Sequence, residues 1–144
     1  MGYGERNSWA ALLASAASIT TYAAIIGAQL GSRPVGTIDW FWPMLWTIVG
    51  GIAGWIVIST VLSTVAGVRD PADARVEDVR DRDIARLGGR VGQAFLVVAM
   101  LGGLLLCAAT AQWFWIANVL YAGFALSAVL DCITRVVVYR RGMP

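Results

Sequence analysis

Three stretches of this sequence contain no charged side chain: Asn7–Ser32, Trp40–Val68 and Val91–Leu130. Runs of that kind leave few ways to fold. A hydrocarbon core of about 30 Å is crossed by roughly 20 helical residues rising about 1.5 Å each. The first two runs each hold one crossing, and the third is long enough for two. Composition agrees, since only 14% of the residues are charged, against about 25% in soluble domains. The expected fold class is an all-α integral membrane protein, with residues 1–144 forming a single membrane domain. Its transmembrane helices are placed at about 8–30, 41–66, 91–110 and 114–138, as two antiparallel hairpins.

The ends of the runs carry interface signals. Arg6, the apolar stretch that follows it and Ala14-Ser15-Ala16 resemble a secretory leader. The apolar run continues well past that point, so the segment is expected to be a retained helix. Gly31–Gly36 is rich in helix breakers. Asp39 is expected to cap the second span, with Trp40, Trp42 and Pro43 at its entrance. Gly50 and Gly54 stand one turn apart, a spacing that lets helices approach closely in lipid. Gln112, Trp113 and Trp115 mark the turn between the third and fourth spans.

Between the second and third spans lies the charged segment from Arg69 to Arg90, with six of the eleven arginines and six of the nine acidic residues. Asp70, Pro71 and Asp73 form a helix-start pattern. Ala72, Val76, Val79, Ile84 and Leu87 then gather on one helical face. Asp78/Arg82 and Asp83/Arg86 are opposite-charge pairs at helical spacing. The expectation is an amphipathic cytoplasmic helix at about 71–87. Val76, Val79, Ile84 and Leu87 form its candidate docking face, and Gly88, Gly89 and Gly92 form a flexible joint after it.

With four crossings, ten of the eleven arginines fall on one side and only Arg33 on the other. The positive-inside rule then places both termini and the central segment in the cytoplasm of a multi-pass protein of the cell (inner) membrane. The tryptophans at 40–42 and 113–115 fall at the opposite interface.

The run DVRDRDIARLGGR, the segment FWIANVLYAGFAL and the closing YRRG resemble elements of a family of small bacterial membrane proteins of unassigned function. The resemblance covers Asp78–Gly142, with Val79 where the family element has an acidic residue. It implies a four-helix inner-membrane protein and carries over no activity.

Ionisable groups inside a membrane raise a functional question by default. Asp131 and Arg135 stand at i,i+4 near the arginine-rich end of the last span, positioned to pair and to snorkel toward water. Tyr121, Phe124 and Ala128 share their side of the helix. Asn118 lies about 140° away and is expected to hydrogen-bond another helix. Asp131, Arg135 and Asn118 are the candidate intramembrane polar residues.

The sequence points to no catalytic residues, cofactor or metal site. It has no histidine, so it lacks an imidazole base and an imidazole ligand. Cys107 and Cys132 are expected near opposite faces, too far apart for a disulfide. No phosphate-loop or nucleophile-elbow motif stands in a suitable context. The interleaved acids argue against nucleic acid and against a polybasic lipid patch. The expected partners are the lipid bilayer and either a second copy of the chain, as a homo-oligomer, or another membrane protein. The expected role is non-enzymatic, acting through helix packing and the cytoplasmic docking helix. The alternative is a small transporter or channel with Asp131 and Arg135 near its pathway.

Overall fold

The structure, a computed structural model, describes residues 3–69 and 79–141. They form four long helices, α1 (Tyr3–Leu30), α2 (Phe41–Arg69), α3 (Val79–Ala108) and α4 (Trp113–Arg141), with a single 3-10 turn at Val35–Thr37. At 28 to 30 residues each, the helices are about 42–45 Å long. All four contain a segment long and apolar enough to cross a membrane.

The helices pack in the order α2, α1, α4, α3, with the most extensive contact between α3 and α4. This is an open layer, with α2 and α3 at its edges. Its outward faces carry large apolar side chains such as Trp46 at 66%, Val98 at 67% and Leu105 at 71% exposed. In water such a surface would drive association. In a bilayer it meets acyl chains that are equally apolar.

Contact pairs fix the directions. Gly92 meets Ser127, Ala99 meets Gly123 and Gly103 meets Leu120. One number rises as the other falls, so α3 and α4 are antiparallel. Tyr22 meets Asn118 and Tyr121 while Glu5 and Trp9 meet Arg140, so α1 is antiparallel to α4 as well. The start of α1, the start of α3 and the end of α4 therefore share one end of the layer, rich in arginine. The tryptophans that open α2 and α4 stand at the other.

At the tryptophan-rich end, Tyr22, Ile26, Ile38, Phe114, Tyr121 and Ala125 form a buried apolar cluster. The Gln29 amide clasps the incoming loop there. Its Nε2 donates to the Asp39 carbonyl at 3.4 Å, and its Oε1 accepts from the Asp39 N–H at 3.1 Å. The Asp39 carboxylate makes no hydrogen bond among the described residues. The expected cap falls instead to Trp40, whose carbonyl accepts from the Met44 N–H at 3.1 Å. α3 ends in a Schellman motif. The Ala111 N–H reaches the Leu106 carbonyl and the Thr110 N–H reaches that of Cys107, both at 3.0 Å. Thr110 holds the left-handed position at φ 52°.

The charged segment differs from its expectation. α3 starts at Val79 and runs unbroken through Gly88, Gly89 and Gly92. Residues 79–87 are thus continuous with the third long apolar helix, which stays helical through the glycines where a flexible joint was expected. The remainder of the expected amphipathic helix, with Asp70, Pro71, Asp73 and Val76, lies outside the described residues. Glycine in a helix interior is less favourable than alanine by about 0.8–1.0 kcal/mol. Packing against α4 offsets this. A Cβ at Gly88 would lie 2.9 Å from the Asp131 carbonyl oxygen, and one at Gly92 2.8 Å from that of Ser127. Gly88 and Gly92 stand one turn apart and let the two backbones touch.

Candidate functional site

Asp131 and Arg135 form a two-pronged ion pair on α4. Arg135 Nε donates to Asp131 Oδ1 at 2.8 Å, and Nη2 donates to Oδ2 at 2.7 Å. The side chains retain 24% exposure for Asp131 and 32% for Arg135. Local sequence builds the pair, since residues four apart are neighbours on a helix surface. Its surroundings come from α3. Gly88 abuts Asp131 and Arg135, and Gly92 abuts Ser127 and Asp131. Without side chains at these positions, the carboxylate lies directly on the α3 backbone. The two charges cancel, while the carboxylate keeps lone-pair sites beyond the two that Arg135 occupies.

Asp131 also borders a slot of about 230 Å³ between α1, α2 and α4. Tyr121, Phe124 and Ala128, which sequence spacing puts on the Asp131 side, line it too. The other walls escaped sequence reading: Ser15 and Ser18 of α1, and Ile48, Gly51 and Trp55 of α2. Ser18 ties the two helices by donating from Oγ to the Thr47 carbonyl at 2.6 Å. Ser15 and Ser18 lie three residues apart on one face. That spacing was the only available signal, and in a chain rich in small residues it stands out little.

Asn118 belongs to a separate polar pair. Tyr22 Oη donates to Asn118 Oδ1 at 2.8 Å, and Asn118 Nδ2 donates to the Phe114 carbonyl at 2.8 Å. The Tyr22 and Tyr121 rings pack at 4.3 Å beside it. The three candidate polar residues are therefore two sites, one joining α1 to α4 and the other seated on α3.

The candidate docking face does not stand as a set. Ile84 is 0% exposed, because it precedes Gly88 by one turn on the side of α3 that meets α4. Leu87 is 36% exposed, Val79 opens α3 and Val76 lies outside the described residues. A face for an outside partner cannot include Ile84.

The arginine-rich end holds contacts between residues distant in sequence. Tyr139 Oη donates to Asp81 Oδ1 at 2.9 Å. Arg140 Nε donates to Glu5 Oε1 at 3.5 Å, and the Arg140 guanidinium stands 5.3 Å over the Trp9 ring. The exposed Arg140–Glu5 pair contributes about 0–1 kcal/mol, while the Tyr139–Asp81 hydrogen bond is part-buried. The Asp83–Arg86 pair at 3.3 Å is exposed as well. Cys107 and Cys132 are free thiols, and no group of three metal-ligating side chains occurs among the described residues. No protein-family model, curated protein or solved structure matches the chain.

Proposed function

We propose that the chain is a non-enzymatic integral membrane protein that acts through contacts between transmembrane helices, with another copy of itself or with another membrane protein. The observation that supports this reading is the state of α2. It packs substantially on α1 alone, and neither Gly50 nor Gly54 has any atom within 4 Å of where a Cβ would stand. A smooth edge at this spacing suits a further helix, because lipid offers no hydrophobic drive and close backbone approach supplies the attraction.

In the threading that accompanies this reading, both termini and the charged segment are cytoplasmic in a bacterial inner membrane, and the helices form two hairpins. The convergence of Glu5, Asp81 and Arg140 at one end supports it, as does the ten-to-one placement of arginines. The resemblance over Asp78–Gly142 points the same way. With Ile84 buried, the contact surface moves from the charged segment to α2. Replacing Gly50 and Gly54 by leucine and crosslinking in native membranes tests this. The expected result is loss of the crosslinked species, and an unchanged pattern would sink the reading.

A small carrier or channel is the second reading. It is favoured by one observation, that Asp131 borders a slot between α1, α2 and α4. Equal flux from wild type and Asp131→Asn in proteoliposomes would remove it.

A further inference from the structure

The tryptophan-rich end of the layer carries one positive and one negative charge. Between Arg6 and Arg69 the only charged residues are Arg33 and Asp39, and the loop from α3 to α4 has none. Gln29 holds both by their backbone. Its main-chain carbonyl accepts from the Arg33 N–H at 2.9 Å, and its side-chain amide clasps both main-chain groups of Asp39. The two side chains are left exposed, and neither makes an ion pair or hydrogen bond with a described residue.

Asp39 borders a groove of about 720 Å³ between α1 and α2 and is the only charged residue lining it. Ala14 and Ala17 stand on one wall, and Trp46, Gly50 and Gly54 on the other. The hydroxyls in the groove are satisfied, since Ser18, Thr21 and Thr47 all donate to backbone carbonyls. The open space over Gly50 and Gly54 admits the backbone of another helix. Copies threaded alike are related by a two-fold axis along the helices. When α2 of one copy enters the groove of the other, symmetry imposes the reverse insertion. Each α2 then lies against its partner's α1 as well as its α2. Because α1 ends where α2 begins, Arg33 of one copy, just past α1, falls beside Asp39 of the other, just before α2. The contact occurs twice. In an antiparallel pair the two charges would stand at opposite ends of helices about 42 Å long and could not meet. Trp42 and Trp46 line the groove with Asp39, and arginine beside tryptophan gains cation–π attraction. The groove thus offers a negative charge at the depth where the chain carries its own positive one, so a second copy is complementary to it.

We propose that two copies of the chain pair through the α1–α2 groove, with Arg33 of each bonded to Asp39 of the other. The proposal rests on the helix-contact reading and commits it to a second copy as the partner.

The test measures energy transfer between full-length copies carrying different fluorescent tags, in phosphatidylcholine vesicles over a range of lipid dilutions. Arg33→Asp alone and Asp39→Arg alone should each weaken self-association about tenfold, because each turns two attractions into two repulsions. Mixing the two variants should restore association to within about threefold of wild type, since every contact across the mixed pair again joins opposite charges. Pairing within one chain predicts no rescue on mixing. Both positions are exposed, which keeps folding out of the comparison. A mixture no stronger than either variant alone would overturn the proposal. A wild type that stays monomeric at every dilution would also overturn it, and crosslinks to other proteins would then leave the helix-contact reading standing. Gly50→Leu combined with Gly54→Leu separates the two levels. Loss of transfer there, with no effect of either charge reversal, keeps the helix contact and overturns the Arg33–Asp39 pairing. Unchanged transfer with the two leucines overturns both.

Discussion

Gly89 and Gly92 lie three residues apart in α3, yet alanine at the two positions should act with opposite sign. The helix-propensity gain is common to both, about 0.8–1.0 kcal/mol. At Gly89 nothing lies within 4 Å of the new Cβ, so Gly89→Ala stabilises by about that amount. At Gly92 the Cβ would stand 2.8 Å from the Ser127 carbonyl oxygen, 3.0 Å from its Oγ and 3.3 Å from Asp131 Cβ. The hydroxyl can rotate away, but the carbonyl belongs to the α4 backbone. Relief therefore requires the two helices to separate, and overpacking of this kind costs about 1–3 kcal/mol. Because propensity cancels, the difference between the variants isolates the contact at about 1–3 kcal/mol. Gly88→Ala should follow Gly92→Ala, since its Cβ would lie 2.9 Å from the Asp131 carbonyl oxygen. Reversible unfolding in mixed micelles, titrated with sodium dodecyl sulfate, measures all three. A flexible joint would make the three alanines equivalent. Equal shifts for Gly89→Ala and Gly92→Ala would refute the packing described for α3 and α4.

Two further perturbations use the same titration. Removing one partner of a fully buried ion pair costs about 3–5 kcal/mol. Asp131 and Arg135 keep 24% and 32% exposure, so solvent screening should lower the cost of Arg135→Met to about 1–2 kcal/mol. Adding Asp131→Asn should recover most of that loss, and a coupling energy near zero in the double-mutant cycle would deny the pair. At the turn between α3 and α4, Thr110 holds φ 52°, a region that costs a β-branched residue roughly 1–2 kcal/mol. Thr110→Gly should stabilise by about 0.5–1 kcal/mol after the greater freedom of glycine in the unfolded chain is subtracted. A decrease in stability would contradict the Schellman geometry.

The four long apolar helices were legible because charge exclusion and length are properties of contiguous residues. The boundaries were less so. Hydropathy marks where lipid should begin, and α3 is already helical at Val79, well before that, because a helix can carry charge beyond its apolar stretch without breaking. The Asp131–Arg135 pair was legible for the same local reason, its i,i+4 spacing. Non-local partners were not. Tyr22 reaches Asn118 across 96 positions and Tyr139 reaches Asp81 across 58, and no spacing rule relates residues so far apart. Ser15 and Trp55 become part of the Asp131 surroundings only when α1 and α2 pack.

The glycines show why a residue type alone does not decide its own role. In sequence, Gly88, Gly89 and Gly92 read as breakers after a charged helix, and the ion pair reads as a separate feature of the last span. In the structure they are one arrangement. The Asp131 carboxylate occupies the space that a side chain at Gly88 would take, so the pair and the close approach require each other. A bulkier residue at 88 would displace the carboxylate, and a shift of α3 would change its surroundings without touching α4. Asp131 sets its carboxylate against α3 and also borders the slot. The slot and the α3–α4 contact thereby share one residue. Substitution at Gly88 should therefore disturb the ion pair even though the pair lies wholly on α4.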